Sequence, residues 1–588
     1  MKASFALRFV GFDTETCKGR VLVLCSPTDS IEYPTTAQAL RFIYDRIPYA
    51  TGAGTFYNLR FDVSVILRDA AAEDPEGVRS GDFTHGGFRV HSVPGKALVI
   101  APVGGGPKSK RYVYDVAQFY PGTLDKAAQA VLGDRKTAEA EGIDRELMGN
   151  EPGYYEARRE AAIRYCRHDA DLAGRLMERF SADVRSAVGV YPRAWYSGAS
   201  VAKAILASRL PENPFYDWPE ECITDSCAAF GGGIFNCWGL GRYPSLTEVE
   251  INAAYPHAIT TLPDVWNEDP TRTDRPHPEA TGGVYLTRIL YDGTVPYRMP
   301  DRKSIIYPVS TEPIEAWLTV PELSQFPHAE ILRGWELFGR PNAKLTDTVR
   351  SLYALRCDYK AAKDPRDAAV KVAMNSLFGA WAETRAGWTR HTNLLLAAIV
   401  TGHTRAYIRG LIRTHGHAVY SATDSVGFSR PPGIVGNETL GGLKVYPPSD
   451  VIVYANGIRI INGRLEKKRG LRRFDASDLL GAAGSKISKV TQGPLPLLRG
   501  IVEKRYSEIG AWVDMDKTID LEANLIRGVP DGPLTFENLR SNPVSMLPHH
   551  VSAPPTFKVL TPPQLAALRN GEYPGAFRED DLEGENEE

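Results

Sequence analysis

Short apolar runs and helical periodicity alternate along the N-terminal third of the chain. Branched and aromatic residues dominate positions 9–15 and 21–25, which predicts two strands at the start of a sheet. Apolar residues recur three and four positions apart over 37–44 and 156–176, which predicts two amphipathic helices. The pattern stops at a tyrosine-proline pair. An α/β domain is therefore predicted over residues 1–190.

The remainder of the chain mixes both patterns and contains no internal repeat. A glycine-rich stretch at 229–234 precedes a strand-like run at 246–251, and proline-rich sequence follows over 263–345. Apolar periodicity then predicts helices over 347–363, 365–378 and 393–414. Alternation over 418–428 predicts a strand hairpin, and further strands are predicted near 451–462. The order of these elements predicts an α/β and α+β multidomain protein.

Length and composition exclude several classes of protein. At 588 residues the chain exceeds what one hydrophobic core supports, which predicts several domains. Hydrophobic residues make up 43% and charged residues 24%, as in soluble proteins, and no apolar run is long enough to span a bilayer. The N-terminal segment lacks the pattern of a secretory signal, and the seven cysteines form no C-x-x-C pair. We therefore expect free thiols in a reducing cytoplasm.

The net charge of −2 is low for a protein that binds nucleic acid, because such proteins are ordinarily basic. The segment 578–588 carries seven acids and one base, so it contributes −6 and the rest of the chain carries +4. Residues 576–588 are predicted to form a disordered, solvated acidic tail. Overall charge therefore does not decide the function.

Carboxylates recur at three places in the first predicted domain. Asp13 and Glu15 stand two apart on a predicted strand, so both side chains leave the same face and can share a metal ion. Asp62 borders an apolar run, and Asp169 follows Tyr165 by one helical turn. Mg²⁺ and Mn²⁺ prefer oxygen ligands, and two such ions close together promote phosphodiester hydrolysis. Each spacing alone is common by chance, whereas the three together indicate a nuclease site.

A second group of motifs lies between residues 250 and 425. Glu250 ends a predicted strand five positions before Tyr255, and Asp424 stands at the turn of the predicted hairpin. One helix face carries three side chains at spacings of four and three, namely Lys371, Asn375 and Phe378. The preceding helix carries a basic stripe, for which a solvated helix face is an equal alternative: Arg356, Lys360 and Lys363.

The order of these motifs resembles that of family B DNA polymerases with a proofreading 3′→5′ exonuclease. The segments D-T-E, N-L-R-F-D and Y-C-R-H-D resemble the three exonuclease motifs, and E-I-N-A-A-Y-P, K-V-A-M-N-S-L-F-G and Y-S-A-T-D-S resemble polymerase motifs A, B and C. The resemblance covers nearly the whole chain and implies an RNase H-like exonuclease domain followed by a right-hand polymerase. The compact spacing is most similar to phage and mobile-element enzymes, including the protein-primed group.

The resemblance implies a division of the chain into seven parts. They are the exonuclease (1–190), the palm with motif A (191–262), a palm insertion (263–345), the fingers with motif B (346–390), the palm with motif C (391–490), the thumb (491–575) and the acidic tail (576–588). The palm insertion stands where the protein-primed group binds its terminal protein. A second insertion, which gives that group strand displacement, looks absent or cut short between 380 and 419.

The resemblance also implies which residues form the two active sites. It implies two Mg²⁺ or Mn²⁺ ions per site, with these ligands: Asp13, Glu15, Asp62 and Asp169 in the exonuclease, and Glu250 and Asp424 in the polymerase. Tyr165 would orient the attacking water. The resemblance implies that the incoming dNTP is bound by four residues: Tyr255, Lys360, Lys371 and Asn375.

Primer-template DNA is the partner that the resemblance implies, with a terminal protein or other priming factor as a further candidate. DNA would contact a scattered set of residues: Asn58, Phe230, Gly232, Gly233, Phe378, Lys504 and Tyr506. An equal alternative to the last two is the segment 454–459, with the expected lysine lost. We expect a monomer, without membrane attachment, that replicates a phage or mobile-element genome in the cytoplasm, which is that of the bacterial host if the protein is phage-encoded.

Two departures from the family pattern affect the polymerase half. The family has Asp where Glu250 stands, and Ala422 replaces the first aspartate of motif C. One added methylene can displace a metal ion by about an ångström and lower the rate on the order of a hundredfold, so slow or manganese-dependent synthesis is expected. One alternative is an exonuclease with a degenerate, inactive polymerase domain. Another is a non-catalytic DNA- or terminal-protein-binding factor, which the complete set of exonuclease carboxylates disfavours.

Overall fold

The computed structural model describes residues 7–520, with gaps at 50, 121, 299–304, 311, 385–387, 469–473 and 481–485, and four short pieces beyond residue 520. The predicted acidic tail and most of the predicted thumb lie outside the described residues. The fold class expected from the sequence, α/β and α+β in several parts, is confirmed. No helix in the described part of the chain combines the length and the apolar character needed to cross a membrane.

The first part of the chain builds two sheets and a set of surrounding helices. Its strands are β1 (Arg8–Gly11), β2 (Asp13–Cys17), β3 (Arg20–Cys25), β4 (Ser30–Glu32), β5 (Gly52–Phe56), β6 (Asp82–His85), β7 (Phe88–Val93), β8 (Ala97–Pro102) and β9 (Arg111–Asp115). Its helices are α1 (Thr36–Arg46), α2 (Leu59–Ile66), α3 (Arg68–Glu73), α4 (Pro75–Ser80), α5 (Leu124–Leu132), α6 (Arg145–Asn150), α7 (Tyr154–Ala157) and α8 (Arg159–Val188).

A break at Phe12 divides the strand that the sequence predicts over 9–15. β1 lies in the six-stranded sheet β1-β5-β9-β8-β7-β6, parallel to β5, whereas β2 pairs antiparallel with β3 in a separate sheet completed by β4. The Phe12 ring is fully buried, and the Phe12 N–H donates to the carbonyl oxygen of Thr55 at 2.8 Å. This anchor turns β2 out of the larger sheet and against α2 and α8.

Helix α8 packs unusually close to β1 because both elements carry a glycine at the crossing. A Cβ atom on Gly11 would lie 1.7 Å from the carbonyl oxygen of Ala170, and a Cβ atom on Gly174 would lie 3.0 Å from the Gly11 nitrogen. The helix is longer than the predicted 156–176 and ends before Gly189, which has a φ of 78°. The close crossing sets the distance between the polar residues of α8 and strand β2.

The second part of the chain contains a large sheet, a smaller sheet and several long helices. Its helices are α9 (Gly198–Arg209), α10 (Glu220–Ala229), α11 (Ala254–Ile259), α12 (Val320–Leu323), α13 (Ala343–Ala361), α14 (Arg366–Ala382), α15 (Leu394–His415), α16 (Ala476–Leu480) and α17 (Leu497–Val502). Its strands before α13 are β10 (Ile234–Cys237), β11 (Gly241–Ile251), β12 (Thr271–Thr273), β13 (Gly282–Ile289), β14 (Tyr297–Arg298), β15 (Ile305–Ile306), β16 (Ile314–Thr319) and β17 (Glu330–Leu337). The later strands are β18 (Ala418–Thr423), β19 (Ser425–Phe428), β20 (Leu443–Val445), β21 (Ser449–Ala455), β22 (Ile458–Ile461), β23 (Arg464–Lys468), β24 (Lys486–Pro494) and β25 (Trp512–Asp520).

The large sheet has the order β10-β18-β19-β11-β21-β22-β23, and β20 also pairs with β11. The hairpin predicted over 418–428 is confirmed as β18 and β19. Thr423, just before the turn, has a left-handed φ of 67°. β11 pairs antiparallel with β19, so Glu250 lies opposite Ser425. This pairing brings the end of β11 beside the hairpin turn.

The helices after the proline-rich stretch agree closely with the sequence pattern. α13 and α14 form the pair predicted over 347–363 and 365–378, extended by four residues at each outer end. α15 matches the helix predicted over 393–414 within one residue, and the Asn393 side chain caps it by accepting from the Leu396 N–H at 3.1 Å. The proline-rich stretch itself forms the small sheet β12-β17-β13-β16.

Residues 497–510 fold back onto the first part of the chain, whereas Ile487 packs in the core of the large sheet. β24 and β25 form a long antiparallel pair, and α17 follows β24. Leu497, Ile501 and Ile509 share a buried core with Phe12 and Phe56 of the first part. The beginning of the predicted thumb is therefore packed against the predicted exonuclease rather than against the large sheet.

Candidate active sites

The four predicted exonuclease carboxylates meet where β2, α2 and α8 come together. Carboxylate oxygens of Asp13 and Glu15 and the sulfur of Cys166 all lie within 4.8 Å of one another. Asp62 on α2 and Asp169 on α8 are both buried, and their charges act on Asp13. The motifs that the sequence places 150 residues apart therefore share one site.

Two contacts hold the flanking carboxylates. The Thr14 hydroxyl donates to Asp62 Oδ1 at 2.7 Å. The Lys136 ammonium forms an ion pair with Asp169 Oδ2, and it lies 5.1 Å from the centre of the Tyr165 ring. Lys136 belongs to the loop between α5 and α6, where nothing in the local sequence distinguishes it from a surface lysine. Sequence analysis therefore missed a cation that contacts the carboxylate cluster.

Burial and like charges raise the pKa of every carboxyl group in this cluster. Burial, with smaller effects from neighbouring charges, raises the pKa of Glu15 to about 8 and that of Asp62 to about 7. Burial also raises the pKa of Asp13 and of Asp169, although Lys136 opposes the shift at Asp169. Burial lowers the pKa of Lys136, but the charges of Asp169 and Asp13 outweigh it, and the net shift is upward. The single Lys136 charge therefore does not balance the four carboxyl groups of the cluster.

The donor set suits hard divalent cations. It consists mainly of carboxylate oxygens, which Mg²⁺ and Mn²⁺ prefer. Asp169 has 0% of its surface exposed, and within the described residues its Oδ1 accepts no hydrogen bond of normal geometry. A buried carboxylate oxygen without a donor is costly, and a bound cation would satisfy it. The residues present therefore fit a divalent metal centre.

Asn58 stands at the edge of this site, at the start of α2. Its backbone is left-handed, with a φ of 70°, and its N–H donates to Asp115 Oδ1 at 2.8 Å. Its side chain does not cap the helix. Asp115, which sequence analysis did not single out, is buried at the end of β9 and fixes this strained residue.

The second site is a cleft of about 640 Å³ above the hairpin turn of the large sheet. Glu250 and Asp424 both line it. They are held on neighbouring strands, since the Ile251 N–H donates to the Asp424 carbonyl oxygen at 2.8 Å. Glu250 and Asp424, which stand 174 positions apart in the sequence, therefore lie at the same end of the β11–β19 pair. Glutamate and aspartate oxygens again fit a divalent cation.

Glu250 has a hydrogen-bond partner that the sequence did not reveal. The Tyr446 hydroxyl donates to Glu250 Oε2 at 2.5 Å, and the Lys444 ammonium donates to the Tyr446 hydroxyl at 3.0 Å. Lys444 lies on β20 and Tyr446 directly follows this strand. β20 pairs with β11, so that Lys444 lies opposite Glu250. This chain of contacts fixes one carboxylate oxygen of the longer side chain.

Ala422 lies on β18, two residues before Asp424. It pairs with Phe235 of β10 on one side and with Ser425 of β19 on the other. The alanine therefore occupies a regular position in the sheet, and the hairpin forms without the carboxylate that the resemblance implied at this position.

Four cations and one partly buried tyrosine line the cleft together with the carboxylates. The cations that line it are Arg356, Lys360, Lys371 and Lys444. Lys360 and Lys371 come from α13 and α14, as predicted, and Asn375 lines the same wall. Burial raises the pKa of Tyr255 to about 12, and the Tyr255 ring lies 4.6 Å from that of Phe378. Lys363 is not among the residues that line the cleft.

The glycine-rich loop before β10 contacts Phe378 and the hairpin turn next to this cleft. The Phe230 ring lies 6.3 Å from the Phe378 ring. A Cβ atom on Gly233 would lie 2.7 Å from a side-chain carbon of Thr423, so the loop packs directly on the hairpin turn. The fully buried Arg405 guanidinium donates to the carbonyl oxygens of Gly231 and Gly232 at 3.1 and 2.9 Å.

A buried ion pair fixes the side chain that holds this loop. Arg405 Nε and Nη2 donate to the Glu322 carboxylate at 2.6 and 2.9 Å, and both residues are at most 2% exposed. Arg405 lies on α15 and Glu322 on α12, so the pair joins the inserted segment to the loop. Sequence analysis did not identify this pair because its members stand 83 positions apart.

Lys504 and Tyr506 are not among the residues that line the cleft, and their predicted contact with the primer terminus stays a prediction. Lys504 follows α17 with a φ of 55°, and Tyr506 packs on the core that contains Phe12. The alternative segment, 454–459, does belong to the large sheet. Arg459 of β22 is buried and lies 3.7 Å over the Tyr420 ring of the hairpin.

Comparison with known sequences gives one partial match. No protein-family model matches the sequence. A DNA polymerase of Acidianus bottle-shaped virus (isolate Italy/Pozzuoli) is 24% identical over 275 residues, which are 42% of this chain and 40% of that protein. The chain thus matches about two fifths of the length of this curated relative.

Solved structures resemble the chain over most of its length. Phi29 DNA polymerase with primer-template DNA and incoming nucleotide substrates has a TM-score of 0.60 and 13% identity over 88% of this chain and 100% of its own. The same enzyme with primer-template DNA alone has a TM-score of 0.57 and 14% identity over 87% of this chain and 100% of its own. The likeness shows that this chain has the fold of phi29 DNA polymerase, and it confirms the resemblance to compact phage enzymes at the level of the fold.

Proposed function

We propose that this chain is a template-directed DNA polymerase with a 3′→5′ proofreading exonuclease. The observation that carries the polymerase is the meeting of Glu250 and Asp424 in a cleft lined by four cations. A deoxynucleoside triphosphate carries negative charge at one end and an aromatic base at the other. The cations and the Tyr255–Phe378 aromatic pair match those two ends.

The cleft suits phosphoryl transfer, in which catalysis consists largely of positioning and charge neutralisation. Glu250 and Asp424 would hold divalent ions, which when bound neutralise the phosphates and activate the primer 3′ oxygen. Lys360 and Lys371 would bind the triphosphate of the incoming dNTP. Tyr255 would close the space beside C2′ of the sugar, so that a ribonucleotide is excluded by steric contact.

The first site suits hydrolysis of a primer end. Asp13, Glu15, Asp62 and Asp169 would hold the ions, which when bound supply a nucleophilic hydroxide and stabilise the leaving oxygen. Tyr165 is the group placed to orient the attacking water, since it lies one helical turn before Asp169. Lys136 keeps the Asp169 carboxylate in place and offsets part of the cluster's charge.

Primer-template DNA and dNTPs are the proposed ligands, and the support is the fold of phi29 DNA polymerase together with the two carboxylate sites. Asn58 at the exonuclease and Phe230, Gly232, Gly233 and Phe378 at the cleft are the proposed DNA contacts. The small sheet of residues 263–345 is the proposed docking region for a terminal protein or other priming factor. The proposed enzyme acts as a monomer.

A second candidate function rests on the two departures at the cleft. Ala422 removes a carboxylate, and one oxygen of Glu250 is already engaged by Tyr446. Under this alternative the chain is a 3′→5′ exonuclease whose polymerase domain is inactive. The four cations that line the cleft favour the first proposal, because a decayed site has no need to keep them.

One experiment separates the two functions. Purified protein is incubated with a 5′-labelled primer on a longer template, with Mg²⁺ or Mn²⁺ and with or without dNTPs. We expect degradation without dNTPs and extension with them. Asp424→Ala should abolish extension and spare degradation, whereas Asp13→Ala combined with Glu15→Ala should do the reverse.

A matched control is Asp450→Asn, since Asp450 lies in the same large sheet but pairs with Arg242 at the surface. This variant should keep both activities within about twofold, as expected for a surface ion pair. If the wild-type protein only shortens the primer under every metal condition, the exonuclease alternative is correct. If it does neither, both proposals fail.

A further inference from the structure

A buried tyrosine of the inserted segment (263–345) reaches the glycine-rich loop. Tyr307 lies between β15 and β16 and is 5% exposed. Its hydroxyl donates to the Gly233 carbonyl oxygen at 2.5 Å and lies 3.4 Å from the Gly232 carbonyl oxygen. The Asn236 side chain of β10 donates to the Tyr307 carbonyl oxygen at 3.3 Å, so this part of the segment is also fixed to the strand that follows the loop. Burial raises the pKa of the Tyr307 hydroxyl, which therefore stays protonated as a donor.

The peptide that joins Gly232 to Gly233 is held by a second donor. The Arg405 guanidinium, itself paired with Glu322 of the inserted segment, donates to the Gly232 carbonyl oxygen at 2.9 Å. The peptide is trans, so its C=O and its N–H point in opposite directions. The Gly233 N–H therefore points away from Arg405. A hydrogen bond from this N–H to the Tyr255 hydroxyl opposes the effect of burial on the Tyr255 pKa.

The loop is also fixed against the hairpin turn. A Cβ atom on Gly233 would lie 2.7 Å from Thr423 Cγ2 and 3.0 Å from Thr423 Cα. Ile234 pairs with Thr423 at the start of β10. Thr423 and Tyr255 both line the cleft, and the Tyr255 ring lies 4.6 Å from the Phe378 ring. The loop therefore connects the inserted segment to the wall of the cleft that carries Tyr255.

We propose that Tyr307 is a positioning residue that sets the sugar specificity of the cleft through Gly233 and Tyr255. The inference rests on the proposed polymerase, in which Tyr255 closes the space beside C2′ of the incoming sugar. The Tyr307 hydroxyl restrains the Gly233 backbone, and the Gly233 N–H restrains the Tyr255 hydroxyl. Without the first contact, the Tyr255 ring gains freedom to rotate and space opens for a 2′-hydroxyl. The substrate that this arrangement selects is a deoxyribonucleoside triphosphate.

The expected effect depends on the sugar of the nucleotide. One hydrogen bond between neutral groups corresponds to about a three- to tenfold change in an equilibrium. Tyr307→Phe should therefore lower the preference for dNTP over rNTP by about three- to tenfold, through better acceptance of the rNTP. A merely structural role would lower insertion of both nucleotides by the same factor and would leave the preference unchanged.

The test is single insertion of dCTP and of CTP opposite guanine, with Asp13→Ala and Glu15→Ala in every protein so that degradation does not obscure the rates. The preference is the ratio of the two kcat/KM values. Tyr216→Phe is the matched control, since Tyr216 is 4% exposed, donates its hydroxyl to the Thr389 carbonyl oxygen at 2.7 Å and does not line the cleft. Tyr307→Phe should lower the ratio and Tyr216→Phe should keep it. An unchanged ratio in Tyr307→Phe, or the same loss in both variants, would overturn the proposal.

A double-mutant cycle tests the path through Tyr255. In Tyr255→Phe the acceptor for the Gly233 N–H is absent, so adding Tyr307→Phe should change the ratio by less than about twofold. Equal effects of Tyr307→Phe in both backgrounds would contradict this path.

Nucleotide binding gives the same comparison without chemistry. The ratio of the Kd values of dCTP and CTP is measured on the complex of each protein with a 3′-dideoxy primer and template, and Tyr307→Phe should lower the preference there as well. A wild-type protein that neither extends the primer nor binds dCTP in this complex would refute the polymerase, and the inference with it. Extension or binding with an unchanged preference in Tyr307→Phe would refute the inference alone.

Discussion

The contact between Tyr446 and Glu250 makes a specific prediction about how this chain tolerates glutamate at a position where the family has aspartate. The Tyr446 hydroxyl donates to Glu250 Oε2 at 2.5 Å. An aspartate at 250 would be shorter by about 1.5 Å, the length of one carbon–carbon bond. Its carboxylate would then lie roughly 4 Å from the hydroxyl, beyond hydrogen-bond distance. Tyr446 can therefore restrain glutamate at 250 but not aspartate.

The size of the effect follows from the type of bond. A hydrogen bond to a charged group contributes about 1.5–3 kcal/mol, and partial exposure of Tyr446 places this one near 1–2 kcal/mol. Since about 1.4 kcal/mol corresponds to a factor of ten in rate, Tyr446→Phe should lower the extension rate by about 5–30-fold. In a Glu250→Asp background the same change should cost less than about twofold.

The measurement is single-turnover primer extension, at saturating dNTP and over a range of Mn²⁺ and Mg²⁺ concentrations. Asp13→Ala and Glu15→Ala are included in every protein, so that degradation does not obscure the rates. Tyr446→Phe should also raise the Mn²⁺ concentration needed for half-maximal rate, because a freely rotating Glu250 is a poorer ligand.

Two results would refute this reasoning. Equal effects of Tyr446→Phe in the Glu250 and Glu250→Asp backgrounds would show that the hydroxyl does not act through the carboxylate. A faster rate in Tyr446→Phe would show that the hydrogen bond holds Glu250 away from the metal position rather than in it.

Three further predictions concern the exonuclease and the fold. Lys136→Met should reduce primer degradation about tenfold or more and leave extension unchanged, since the ammonium holds the Asp169 carboxylate; equal loss of both activities would contradict this role. Arg405→Met should lower the free energy of unfolding in denaturant by about 3–5 kcal/mol, because it leaves the buried Glu322 without its ion-pair partner. Arg413→Met, an exposed change on the same helix, is the control and should change the free energy of unfolding by less than about 1 kcal/mol. Without divalent ions, the melting temperature should fall as pH rises from about 5 to 8, because carboxyl groups with a raised pKa, such as Glu15 at about 8, stabilise the folded state only while they are protonated. Saturating Mg²⁺ should reduce the slope of melting temperature against pH. A melting temperature that rises over this window would contradict the raised pKa.

The sequence by itself determined the parts that depend on local spacing. The hairpin over 418–428 and the helix over 393–414 follow from alternation and periodicity, which act between near neighbours. Residue type and spacing also indicated the exonuclease carboxylates, because hard cations require oxygen ligands and a strand or helix sends residues two or four apart to one face, whereas Glu250 and Asp424 were indicated by the resemblance to polymerase motifs.

Only the tertiary structure decided which distant residues complete each site. Lys136, Tyr446 and Cys166 reach the carboxylates through a loop, a paired edge strand and a helix crossing, and none of these has a local sequence signal. Conversely, Lys504 fits a local motif but is not among the residues that line the cleft, and the apolar side chains around it pack onto the first core. Burial of apolar surface is non-directional, so the partners that it brings together cannot be derived from spacing along the chain.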